Sequence, residues 1–356
     1  MIRGVRRRAR GVRLPVLLAL VVLTGAGGAQ AWGQEGLSDI TIDDPRVSES
    51  SGLSVSPLDD GLLYTVNDSG NDPLVFVVDS ADGTVVGTTL LEGLDPEVVD
   101  PEAMAVQGDT VWVADTGDNA NERDDVALYA LRAPRSGDDT VRPTAYPVRY
   151  TAGHPDVEAL LMAPDGGGGG WLVTKEVFGG EVLALPADMR PGVPVTPEPV
   201  PGVLVPGLVT DATVLPDGEA AVVRTYGKAF VYRLPDWSQV ATIDLPRQQQ
   251  GETITALADG TTLLAGSEGS PALIDAVRLP PEVVADLERA GSGSDPDASS
   301  VPEDAEEAGE AGEADPTEPP ADPYDQVVAI AAGLAGLIVL GSAAAWLLRR
   351  RGGSPR

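Results

Sequence analysis

The chain has 356 residues, no cysteine, and 24 basic against 55 acidic residues, for a net charge of −31. The lack of thiols excludes a disulfide framework and a thiolate metal site. The negative field works against nucleic acid and anionic lipid, and favours cations and basic partners at the surface.

In chain order, the first element is a secretory signal over residues 1–31. Arg3, Arg6, Arg7, Arg8, Arg10 and Arg13 precede an apolar run from Leu14 to Leu23, and small residues follow up to Ala29-Gln30-Ala31. That charged, apolar, small-residue order is the pattern of an export signal, and the apolar run is too short to span a bilayer easily.

A folded unit is expected over residues 36–281. Short β-rich runs alternate there with Asp-Gly and Pro-containing turns: LLYTVND, LVFVVDS, TVWVADT, VALYALR, WLVTKEV, EVLALPA, AAVVRTY, AFVYRLP and TTLLAGS. Such a pattern predicts an all-β fold with little helix. Five stretches share one layout, an acidic opener followed by three strands. They begin at Glu49, Glu102, Glu158, Asp211 and Glu252, at spacings of 53, 56, 53 and 41 residues. This is close to the period of a four-stranded propeller blade. The last unit is one strand short, and LSDITIDDPRV at residues 37–47 is available to supply it and close the ring. The reading is therefore a β-propeller, with five blades favoured. Six or seven would need further repeats, for which only Arg132–Tyr150 and Met189–Leu208 leave room. A β-sandwich with irregular loops is the competing architecture.

Residues 282–323 read as an acidic, disordered stalk, because the segment is dense in like charge and poor in large apolar side chains, above all from residue 291 onward. A transmembrane helix is expected over 324–348. Val327 to Leu348 holds no charge, and its 22 residues reach roughly 33 Å. Arg349, Arg350 and Arg351 follow it, so 349–356 reads as a basic cytoplasmic tail. The chain is thus expected in the plasma membrane, crossing once through its C-terminal helix, with the propeller outside the cell. Ten of the basic residues lie in the signal and the tail, which leaves 14 against 55 acidic ones in between.

In a propeller blade the start of the first strand and the end of the second lie on one face. The openers Glu49, Glu102, Glu158, Asp211 and Glu252 are therefore expected to ring the central channel. Asn67, Asp68, Asp115, Asp118, Asn119, Lys175, Glu176, Arg224, Tyr226 and Glu268 are expected around them as the ligand face. Carboxylates crowded at a narrow channel must take up protons, bind cations or pair with Arg224 and Lys175. Ca²⁺ is the candidate cofactor, since it accepts many oxygen ligands in loose geometry. The loop DTGDNANERDD is no EF-hand, because Gly117 and Ala120 stand where a ligand and the turn glycine belong. His154 is the sole histidine and no GxSxG elbow accompanies it, which argues against a Ser-His-Asp enzyme.

The ordered motifs ESSGL, NDSG, DPEAM, DTGDNANER, DVEAL, TKE, RTYGKAFVY, GE and SEG resemble a group of secreted or membrane-tethered bacterial β-propellers, frequent in actinomycetes. That group is distantly similar to phytase-like esterase and lactonase propellers. The resemblance implies a propeller with a polar, Ca²⁺-bearing face. It singles out Asn67, Asp68, Glu102, Asp115, Asp118, Asn119, Arg123, Glu158 and Glu268. Relatives often carry an aromatic between the acids of the D-x-E motif, where this chain has Pro101 and Val157. With no complete nucleophile and base in view, the expected function is a cell-surface binding or scaffold propeller. The alternative is a Ca²⁺-dependent hydrolase of phosphate or lactone esters, with Lys175 or Arg224 steadying the developing anion.

Overall fold

The structure is a computed structural model and describes residues 39–164 and 169–291. The expected signal, transmembrane helix and cytoplasmic tail lie outside the described residues, as does the stalk beyond residue 291. Among the described residues no helix is long and apolar enough to cross a membrane.

Among the described residues five sheets make the fold, antiparallel except for one parallel strand pair. A short strand β1 (Ile40–Ile42) comes first. The first blade then runs outward through β2 (Ser50–Val55), β3 (Leu62–Asn67), β4 (Leu74–Asp79) and β5 (Val85–Leu91). The second begins with β6 (Pro101–Gln107), β7 (Thr110–Asp115) and β8 (Ala127–Arg132). After β8 the chain crosses to the first blade as β9 (Gly137–Val141), parallel to β5, and returns as β10 (Thr144–Pro147) to complete the second. The third blade is β11 (Val157–Met162), β12 (Gly170–Thr174), β13 (Gly180–Leu185) and β14 (Glu198–Val205). The fourth is β15 (Val209–Val214), β16 (Ala220–Thr225), β17 (Lys228–Arg233) and β18 (Ser238–Asp244). The fifth is β19 (Gly251–Ala256), β20 (Thr262–Ser267), β21 (Ala272–Arg278) and, closing the ring, β1.

Closure follows the expectation from residues 37–47: Ile40, Thr41 and Ile42 pair antiparallel with Ile274, Leu273 and Ala272. It joins the two ends of the domain and covers the edge that β21 would otherwise present. The segments Arg132–Tyr150 and Met189–Leu208 do contain strands, but these serve as outer strands of existing blades.

Blades are buried on both faces, which is why their middle strands read as almost unbroken apolar runs such as LVFVV and TVWVA. One hydrophobic cluster fills each junction between neighbouring blades. Tyr64, Val77, Met104 and Val113, for example, lock the first to the second, and Ala103, Trp112, Leu160 and Leu172 lock the second to the third. The hairpins at the lower end are set by Asp side chains that accept from the amide two residues on, as Asp59 does from Gly61, Asp82 from Thr84, Asp217 from Glu219 and Asp259 from Thr261.

One boundary needs correction. The stalk expected from residue 282 begins instead with a helix, α1 (Pro281–Gly291). Proline suits the first helical position, and Val283 and Leu287, one turn apart, insert into the cluster between the fourth and fifth blades beside Ile243, Leu245 and Leu279. The folded unit therefore extends beyond the expected end at residue 281.

Candidate functional site

The site sits where the five innermost strands begin. In β6, β11, β15 and β19 the pairing with the second strand slips by one residue, and the extra residues are Glu102, Glu158, Thr210 and Glu252. In β2 the same irregularity spans Ser51 and Gly52. Bulges of this kind re-aim a side chain that a regular ladder would hold in the sheet. Three of them carry carboxylates, and all three are nearly sealed, with exposures of 4% for Glu102, 1% for Glu158 and 4% for Glu252.

These three are the expected openers that meet. Glu49 is not among them. It precedes β2, stands exposed, and accepts a 2.6 Å hydrogen bond from Asn71 Nδ2, while Ser51 donates to Glu102 Oε2 at 2.8 Å. Asp211 lies one residue past the bulge of its strand and turns into the wall, where its carboxylate accepts from the amides of Ala212 and Ile254 at 2.8 and 2.7 Å. It ties the fourth blade to the fifth.

The second-strand exits also divide. Asp68 reaches the mouth, where its oxygen lies within 4.8 Å of oxygens of Asp100 and Glu102. Asn67 instead locks the loop beneath, donating to the carbonyl of Arg46 at 2.6 Å and accepting from the amide of Glu49. Asp115 pairs with Arg123 at 2.6 Å and accepts from the amide of Asp100 at 2.9 Å. Asp118 folds the DTGDNANER loop by accepting from the amides of Glu122 and Arg123. Asn119 and Glu176 are exposed. Lys175 donates to Glu158 Oε1 at 2.9 Å and lies 5.7 Å from the centre of the Tyr226 ring. Glu268 is half-buried at the rim.

Arg224 was expected on this face and is instead fully buried. Its guanidinium donates to the carbonyls of Thr253 and Gly266 and to Gln248 Oε1, and so braces the junction of the fourth and fifth blades. Burial lowers its pKa to about 10 even though Asp211, Glu252 and Asp275 favour its charge.

Two acidic residues belong to the site that the strand-opener pattern did not pick out. Asp100 and Asp156 precede Glu102 and Glu158 by two positions, the first acids of the D-x-E pairs, and that spacing was the available signal. Asp156 accepts from the amide of Asp118 at 2.7 Å. Asp100 packs against Gly117, where a Cβ would stand 2.5 Å from Asp100 Oδ2 and 2.6 Å from Glu102 Oε1. Only glycine leaves both carboxylates their room, which accounts for the residue at which the EF-hand pattern failed.

Electrostatics set the chemistry. Burial, then contact with Asp68, raises the Asp100 pKa to about 7. Burial, then the charge of Glu158, holds Glu102 well above the usual carboxylate range. Glu158 rises to about 8, burial outweighing Lys175, and Glu268 rises to about 8 through burial and the charge of Glu252. Burial alone would lower Lys175, but Glu158, Tyr226 and Glu252 hold it above the ordinary lysine value. The mouth is thus a set of carboxylates that give up protons reluctantly around one ammonium group.

Asp68, Asp100 and Glu102 fit a bound Ca²⁺. They supply only oxygen donors, which suits a hard cation, and Asp100 Oδ1 is buried with no hydrogen-bond partner among the described residues. Fold and site together define a five-bladed propeller with a carboxylate-lined channel mouth. No protein-family model matches the chain, and no curated protein matches it.

Proposed function

We propose that the chain is a cell-surface binding propeller, exported by its N-terminal signal and anchored by its C-terminal apolar helix, whose channel mouth takes up Ca²⁺. The carrying observation is the oxygen cluster of Asp68, Asp100 and Glu102, with the buried, unpartnered Oδ1 of Asp100 beside it. Carboxylates crowded in a partly buried site must be neutralised, and among the described residues no lysine or arginine forms an ion pair with any of these three. Asp68, Asp100 and Glu102 would hold the ion, and bound Ca²⁺ would supply positive charge and open coordination positions for an oxygen-bearing ligand. Gly117 keeps the seat open, while Asp115, held by Arg123, fixes the backbone of Asp100.

The hydrolase alternative is weakened by two placements. The ammonium of Lys175 is committed to Glu158, and Arg224 is sealed in the wall. Neither is free to steady a developing anion.

Calorimetric melting of the purified full chain in detergent tests the reading. Ca²⁺ at a hundredfold excess over its Kd adds about 2.7 kcal/mol, or roughly 5–10 °C in Tm for a domain of this size. The rise should vanish in Glu102→Gln and persist in Glu49→Gln. Equal melting in Ca²⁺ and in chelator would sink it.

A further inference from the structure

Beside the carboxylate mouth the rim of the third and fourth blades is apolar and exposed. Phe178 is 94% exposed, Val177 50%, Leu204 70% and Tyr226 41%. The backbone ties the first three to one corner. The amide of Leu208 donates to the carbonyl of Glu176, Gly207 packs against the carbonyl of Val177, and Gly180 and Glu181 pair with Val205 and Leu204. Lys175 connects this corner to the mouth, for it precedes Val177 by two residues and lies over the Tyr226 ring.

A phenylalanine left almost bare on a hairpin tip is unusual in a chain with three phenylalanines, and its other two occupy the core or its margin. Contiguous exposed apolar side chains mark contact surfaces. The charge beside them selects the partner. Asp68, Glu158, Glu252 and Glu268 share the mouth, and Lys175 already belongs to Glu158.

We infer that this surface docks a protein segment carrying basic side chains next to large apolar ones. A lysine or arginine enters the mouth toward the half-buried Glu268 at its rim, and the neighbouring apolar side chains cover Phe178, Val177 and Tyr226. The inference rests on the reading of this face as a binding surface but not on the metal. Its partner is opposite in charge to the chain's own segment after residue 291, which is acidic in sequence. A basic rim contact speeds and orients encounter, while the buried aromatic slows release.

The test is fluorescence anisotropy of the full chain with three labelled short peptides: an alternating arginine, leucine and phenylalanine sequence, the same with serine at the apolar positions, and the same with glutamine for arginine. The first should bind, more weakly as salt rises, and the other two should bind at least tenfold more weakly. Phe178→Ser, which removes an exposed side chain and leaves the core intact, should weaken binding about tenfold or more. At pH 9, where Glu268 is ionised, Glu268→Gln should weaken it and reduce the salt dependence. Leu273→Ser, at an exposed apolar position on β21, should change nothing. The inference is overturned by equal affinity for the serine peptide, by no effect of Phe178→Ser, or by no binding at about 1 mM. It is also overturned if sedimentation shows a dimer that Phe178→Ser dissolves, because the rim would then serve self-association. Loss of the Ca²⁺ melting shift with peptide binding intact would remove the metal and leave the docking surface standing.

Discussion

Raising the pH in the presence of a chelator should destabilise this protein, against the usual behaviour of acidic domains. Asp100 rises from 3.8 to about 7 and Glu158 from 4.5 to about 8 on folding. The native state therefore holds these protons more tightly than the unfolded chain. The resulting stability is fully present below the ordinary carboxyl range and is lost as pH climbs through about 8. A shift of three units is worth about 4 kcal/mol, and solvent at the open side of Asp100 reduces that by roughly half. Glu158 is more deeply buried and contributes a similar amount, though the charges interact and the two do not add fully. A total of about 5 kcal/mol between pH 4 and 8 corresponds to a fall of roughly 10–20 °C in Tm for a domain of this size. Asp44 and Asp259, whose pKa values are lowered, act in the opposite sense but titrate below this window. Scanning calorimetry at several pH values in chelator reads the slope directly. Glu158→Gln should flatten it, and Ca²⁺ should recover much of the loss at pH 8, where the seat is most fully ionised. A Tm that stays level or rises from pH 5 to 8 in chelator would refute the assignment of these carboxyls as groups whose burial outweighs their partners.

Two further outcomes probe the frame around the site. Gly251→Ala should cost about 3 kcal/mol in urea unfolding, because a Cβ there collides with the Arg224 guanidinium and the carbonyl of Tyr226, and displacing the brace leaves a buried charge and two carbonyls unpaired; a midpoint equal to that of the parent would show that Arg224 does not carry the junction. Removing residues 39–47 takes away β1 and with it the buried Ile40, Ile42 and Val47, so stability should fall by about 5 kcal/mol and the uncovered β21 should promote association on size exclusion; unchanged unfolding and a monomeric profile would show that the ring does not depend on this closure.

Much of this architecture is legible from residues alone. The runs TVWVADT and AAVVRTY read as strands because they are short, rich in β-branched and aromatic residues, and bounded by glycine-containing turns. The five openers count the blades correctly, and the incomplete last unit points to the strand that closes the ring. Helix α1 was missed because an acidic, proline-rich composition dominates the region, although Val283 and Leu287 already stood one turn apart.

The site was legible only in part. Which carboxylates face the channel depends on the one-residue slips at the start of the inner strands, and a slip of one position exchanges channel for wall. Glu102, Glu158 and Glu252 occupy the slip itself. Asp211, with the same apparent place in its repeat, lies one residue beyond it and hydrogen-bonds Ile254 across the blade junction. Arg224 likewise reads as a functional cation but is consumed by the carbonyls of the next blade. Composition and periodicity determined that this chain is acidic and all-β and favoured a propeller of five blades over six, seven or a sandwich. Only the tertiary structure decided which acids share the mouth, because that depends on contacts between residues some fifty positions apart, such as Ser51 with Glu102, that no local pattern encodes.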